Sequence, residues 1–186
     1  MSRRSVFTVS FPAPAEKIYQ DFASRDYWET LMSAYGWLTP VSEIQAFSVT
    51  DGGIDVVLKQ HLPRIYLPPI AQKVMLTDLI ITRVQHFAPF DQRTASAIGN
   101  YSASVVAGPG SFTGVCALSD TGEGSQLRLS STCRVYLPFI GGKLEDLILY
   151  HLNDLFRVEE GFIADWVAKH HCPSHSPREH VEGSHQ

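Results

Sequence analysis

The chain has no surplus of positive charge, and that absence excludes the commonest kind of nucleic-acid binder. Its 15 Lys and Arg residues are outnumbered by 19 Asp and Glu, for a formal charge of -4. The basic residues are scattered, with Arg3-Arg4 the only adjacent pair, so no basic field forms along it. Cysteine is scarce. Three residues, Cys116, Cys133 and Cys172, at long spacings make no disulfide framework and suit a reducing compartment. A continuous apolar run is missing as well. The most apolar window, Leu62 to Ile81, is interrupted by Arg64, three prolines, Lys73 and Asp78, too broken to span a bilayer. The N-terminus lacks the apolar core of a signal peptide. Together these features predict a cytoplasmic protein.

Catalytic motifs are absent too. There is no nucleophile elbow, no phosphate loop and no His-Glu-x-x-His, and Gly108-Pro109-Gly110 reads as a turn. No cofactor is called for. His170, His171, Cys172 and His175 are residue types a metal accepts, but they fall where the apolar pattern ends, with nothing to hold a second shell. The expectation is a polar tail and no metal site.

What is present is a globular pattern. Hydrophobic residues make up 44% of 186, enough for one domain with a sizeable core. Val6 to Phe11 alternates as a strand. Pro12 and Pro14 end it, with Pro14 placed to open a helix carrying Ile18, Tyr19 and Phe22. Ser24 stands as the N-cap of a second short helix that turns Trp28, Leu31 and Met32 inward. Val41 to Thr50 and Ile54 to Leu62 flank Asp51-Gly52-Gly53, a hairpin signal. Pro63 to Met75 is irregular, its prolines excluding a regular helix or central strand through its middle. Strands follow over Asp78 to Phe87, Arg93 to Ala107, Ser111 to Ser119 and Gln126 to Leu137; the phase of the first is ambiguous because Leu79, Ile80 and Ile81 are all apolar. The order of one strand, two helices, six strands and a long helix specifies an α+β domain.

The last helical pattern, Lys143 to His170, is the most informative. Leu144, Leu147, Ile148, Leu155, Val158, Phe162 and Trp166 share a face, and Leu152, Phe156 and Ile163 widen it. So broad an apolar arc needs a partner that wraps it, and a curved antiparallel sheet can do so while leaving space between sheet and helix. Residues 1–170 are read as one domain and 171–186 as a disordered polar tail.

Three passages carry a likeness. FPAPAEKIYQDFASRDYW at residues 11–28, the glycine turns between long strands, and LRLSSTCRVYLPFIGGKLEDLI at 127–148 resemble the helix-grip superfamily that includes START lipid-transfer domains, polyketide cyclases and the birch-pollen allergen. More narrowly, the paired ends are similar to a mainly actinobacterial family of unknown function within it. The likeness spans about residues 4–169 and implies a curved antiparallel sheet of about seven strands wrapped around the C-terminal helix. It implies no activity, because the superfamily hosts carriers, cyclases, hydrolases and plain binders.

The favoured functional reading is binding or carriage of a hydrophobic small molecule such as a fatty acid, polyketide or isoprenoid-like lipid. The candidate lining is Trp28, Tyr66, Leu67, Tyr101, Ser131, Cys133, Leu144, Ile148, His151 and Leu155. Small inward residues, Ala95, Ala97, Gly99 and Ala103 with Ser131, are expected to leave room. His151, mid-face on the long helix, is either a polar anchor or an acid/base group, or a core histidine with a satisfied partner, the last carrying more weight. The second reading is therefore an enzyme using His151, with Tyr101 or Arg83 as helper. The third is a partner-binding module with a filled core. Glu159 reaches the edge of the apolar face, where its long side chain is expected to find solvent. Pro63 to Met75 is a lid, a cover for the sheet or, least favoured, a contact for a membrane or partner. No oligomeric state is legible.

Overall fold

The computed structural model describes residues 3–106 and 108–171, and within them the backbone but not the side chains of 151–155. The elements are β1 (Arg3–Phe11), α1 (Ala15–Phe22), α2 (Arg25–Ala34), β2 (Val41–Thr50), β3 (Gly53–Leu62), a 3-10 turn (Arg64–Tyr66), α3 (Pro69–Gln72), β4 (Leu79–Phe87), β5 (Ser96–Val105), β6 (Gly110–Thr121), β7 (Gly124–Val135) and α4 (Gly141–His171). The seven strands form one antiparallel sheet in the order β1-β7-β6-β5-β4-β3-β2. Five connections, the one between β3 and β4 the longest, make neighbours of β2 to β7 in chain order, and β1 closes back on β7. The prolines of residues 63–75 do not keep the segment free of helix. They place a single turn there, because Pro68 and Pro69 occupy the N-cap and first helical position, where a missing N–H costs nothing.

The β2–β3 hairpin shows why its glycines stand where they do. Gly53 has φ +118 and lies against the carbonyl of Phe87; any Cβ there would collide with it. At the start of α1, Pro14 is the N-cap and the Ala15 N–H is taken by the Asp120 carboxylate from the β6–β7 hairpin. Ser24 is the N-cap of α2 without a side-chain capping bond.

The core lies between α1, α2, the second half of α4 and the hairpin ends of the strands. Phe22, Tyr27, Trp28, Phe87, Phe162 and Trp166 form a continuous aromatic cluster. The rotation of α4 departs from the sequence expectation. Leu144, Phe156, Ile163 and Trp166 are buried as expected, but Ile148 and Val158 are each 38% exposed, and Glu145, Leu149 and Val167 join the buried seam. The buried face is displaced from the centre of the predicted arc toward its Phe156 and Ile163 side. Two carboxylates explain this. Glu145 is buried and accepts the backbone N–H of Val135 at the end of β7, and Glu159 faces the sheet. Hydrophobic periodicity is blind to such polar partners.

The segment assigned to a tail, His171 apart, lies outside the described residues.

Candidate functional site

The strands alternate, so each sends every second residue toward the helices. These inward positions are filled at the hairpin end of the sheet. Ile54, Val56 and Leu58 of β3, Phe87 of β4, Ala97 of β5, Leu118 of β6 and Leu127 of β7 are buried. At the opposite end Gln60 and Cys133 are buried, but the inward positions Leu62, Leu79, Ile81, Ala103, Val105 and Phe112 are only partly covered. The close approaches of α4 are to β1, β7 and α2. The incompletely covered positions are on β3 to β6, away from them.

A charged pair sits within this interior. Arg83 of β4 donates from Nη2 to Oε1 of Glu159 on α4 at 3.1 Å. Both are deep in the molecule, yet about a fifth of each side chain remains reachable by solvent (20% and 18%). Burial is the largest single influence and works against the Arg83 charge, but Glu159 and Tyr35 together outweigh it and hold the guanidinium above its ordinary pKa. The Glu159 side chain therefore does not run out to solvent as expected; the cation across the sheet draws it in. The hydroxyl of Tyr35, from the turn after α2, is buried beside the pair without a well-formed hydrogen bond. Burial, and after it the Glu159 charge, push the phenols of Tyr35 and Tyr27 well up, so both are neutral donors.

Next to this pair, Tyr101 Oη and Ser131 Oγ are 2.7 Å apart in a buried hydrogen bond between β5 and β7. β6 runs between them, and the Tyr101 ring crosses it over Gly114, where any side chain would strike the ring. Burial raises the Tyr101 phenol to about 12, against the lowering effect of Ser131. Gln85, opposite Tyr101 in the register, keeps a buried Oε1 without a partner.

The structure separates the sequence candidates. Tyr101 and Ser131 meet, and Cys133 lies one inward step further along β7, buried. Its thiol is raised to about 11 by burial and by Glu145. Leu144 is buried and Leu67 is at the edge of burial. Trp28 is in the aromatic core, its Nε1–H donated to the Phe22 carbonyl at 2.8 Å. Tyr66 and Ile148 are exposed on the outside. The side chains of His151 and Leu155 lie outside the described residues. Two of the small inward residues do not leave room. Ala95 is in a turn at φ 47, and the space above Gly99 is taken by the His86 carbonyl, Cys116 Sγ and the Phe87 ring. Ala103, opposite Arg83, remains half-covered. Sequence reasoning named Arg83 and Glu159 separately but not as a pair; an arginine in an inward phase facing an acidic residue on the helix was the available signal.

Two open depressions, of about 480 and 360 Å³, lie elsewhere, one beside Arg3, Arg4 and Asp146, the other between α2 and β2. Neither includes Arg83, Glu159 or Tyr101. Of the histidine cluster, His170 stacks on Trp166 and His171 bonds the Asp21 carboxylate at 2.8 Å; Cys172 and His175 lie outside the described residues. Among the described residues no helix is long and apolar enough to cross a membrane.

The geometry has counterparts. Residues 6–167 match the family described as "Protein of unknown function (DUF2505)". An uncharacterised protein of Mycobacterium tuberculosis is 30% identical over 176 residues, covering 90% of this chain and 98% of that protein. The chain is similar in fold to norcoclaurine synthase from Thalictrum flavum, with TM-score 0.60 and 14% identity over 91% of this chain and 88% of that one. A further structure of that enzyme holds dopamine and hydroxybenzaldehyde. Protein Ms6760 from Mycobacterium smegmatis gives TM-score 0.55 and 13% identity, covering 90% and 92%.

Proposed function

The chain belongs to the DUF2505 family and has the START-like helix-grip fold, and from that premise we propose that it binds and carries a hydrophobic small molecule between sheet and α4. The observation that carries this is the gradient of burial along the strands: the same inward face is packed at the hairpin end and half-covered at the other. An interior lined by Leu62, Ile81, Ala103, Val105 and Phe112, with the Arg83–Glu159 pair as its charged group, suits an apolar ligand with a polar end. Taken together the pair is neutral. Arg83 is already compensated by Glu159, so a ligand hydroxyl, which both donates and accepts, fits it better than a carboxylate, which Glu159 would repel.

The test compares native and denaturing mass spectra of gently purified protein, followed by uptake of decanol and decanoic acid. An extra mass in the native spectrum alone, or uptake favouring the alcohol, supports the reading. Ala103→Phe should then reduce uptake at least tenfold without loss of fold. A single bare mass and no uptake of either compound would overturn it.

A second reading, catalysis, draws on the same pair, since a buried carboxylate beside a neutral phenol can move a proton. It predicts turnover that Glu159→Gln abolishes while binding persists, and a broad substrate panel without turnover would end it.

A further inference from the structure

Three connections meet at the half-covered end of the sheet: residues 63–78 between β3 and β4, 106–109 between β5 and β6, and 136–140 between β7 and α4. The backbone ties the second to the third, Tyr136 N–H being 2.6 Å from the Pro109 carbonyl, and ties the second to the start of β4, Val106 N–H being 3.4 Å from the Ile80 carbonyl. Each sends large apolar side chains outward. Ile65, Tyr66 and Leu76 come from the first connection, Val106 from the second, Tyr136 and Phe139 from the third, and all are exposed.

Phe139 is the extreme case. It is fully exposed and its φ is 65, a left-handed conformation that a bulky residue disfavours. Water and backbone both select against phenylalanine at this position. An apolar partner covering this position would remove the cost of its exposure.

The charges around these tips say which partner. Lys73, Arg134 and Lys143 are exposed among them, with the Arg134 guanidinium 5.2 Å from the centre of the Tyr136 ring. With Arg64 there are four cations here against Asp78, which accepts the Arg64 backbone N–H, and the buried Glu145, while Asp146 is paired with Arg3. In a chain of net charge -4 this end is locally positive. Arg64 itself is spent inward, donating to the Met75 and Gln72 carbonyls, and holds residues 63–75 in a fixed shape. Apolar tips, an interfacial tyrosine and a ring of cations are the combination that inserts shallowly at a lipid headgroup layer.

We propose that this end of the protein docks on an anionic lipid bilayer, with Phe139, Leu76 and Ile65 entering the headgroup boundary and Lys73, Arg134 and Lys143 facing lipid phosphates. Sequence alone isolates only the first of the three connections and ranks membrane contact last for it; the fold adds the other two. Docking places the half-covered interior against the bilayer, where an apolar molecule can pass without crossing water. The surface itself does not depend on the carrier reading.

Sedimentation with vesicles of phosphatidylcholine, alone or mixed with phosphatidylglycerol, tests this. The wild-type protein should bind the mixed vesicles about tenfold or more tightly than the neutral ones, and high salt should remove the difference. Phe139→Gly with Leu76→Ser should lower binding at least tenfold; the glycine also relieves the φ of 65, so the fold, checked by circular dichroism and melting, is kept. Lys73→Glu with Lys143→Glu should abolish the preference for anionic vesicles. Failure of the wild type to sediment overturns the proposal, as does sedimentation unchanged in the variants. A dimer in solution that Phe139→Gly dissociates also overturns it, because the surface would then belong to a second copy. Uptake of decanol, measured without vesicles, should be the same in the rim variants and wild type, which separates loss of docking from loss of the carrier function.

Discussion

Arg83 and Glu159 join the middle of the sheet to the long helix across the interior, at 3.1 Å, as a pair that is deep in the molecule but still partly reachable by solvent. Glu159→Ala leaves the guanidinium uncompensated. Removing one partner of a buried pair costs about 3–5 kcal/mol, and the residual access here brings the expectation to about 2 kcal/mol. Replacing both, Arg83→Met with Glu159→Leu, should recover most of that loss. Urea unfolding of the three chains checks it; a double variant no better than the single one would show that the pair does not act as a unit.

Gly114 and Tyr101 are matched in a different way. The tyrosine ring occupies the place of a Gly114 side chain. Gly114→Ala should destabilise by about 1–3 kcal/mol through overpacking and loosen the Tyr101–Ser131 bond. In the Tyr101→Ala background the same change should cost much less, a coupling that a double-mutant cycle reads directly. Equal costs in both backgrounds would refute the contact.

Two other glycines should move stability in opposite directions. Gly99→Ala meets the His86 carbonyl, Cys116 and Phe87, with backbone among them, and is expected to cost about 2 kcal/mol or more. Gly161 is exposed in α4 with nothing within 4 Å of a Cβ, so Gly161→Ala should stabilise by about 0.5–1 kcal/mol through helix propensity. Thermal melts of the two variants should fall on either side of the wild type.

Alkaline pH should unfold the protein through its buried acids. Burial raises Cys116 from 9.0 to about 12 and Cys133 to about 11, and Tyr101 from 10.0 to about 12. The folded state keeps these protons where the unfolded chain loses them. Stability from these groups is therefore whole below about pH 8 and falls as pH rises from about 9 to 12. Cys116→Ala should flatten the first part of that fall. At pH 8 both thiols should resist a thiol reagent until denaturant is added; rapid labelling of either in the native protein would contradict their burial.

Much of this molecule was legible before any coordinates. Alternation, hairpin glycines and prolines mark all seven strands to within a few residues, because period-two burial and turn chemistry are local. The phase of β5 was readable from its run of small residues. The rotation of α4 was not: Glu145 and Glu159 turn inward to meet Val135 N–H and Arg83, partners far away in the chain, and they carry Ile148 and Val158 outward with them.

By itself, then, the order of apolar, glycine and proline positions determined the α+β class, the strand count and the helix that the sheet grips. Tertiary structure alone decided which charges meet in the interior, that Gly99 is filled space while Ala103 is not, and that three loops share one apolar, cationic end. The reason is physical: backbone periodicity is written between neighbours in sequence, whereas ion pairs, steric fit and surface patches arise between residues that only folding brings together.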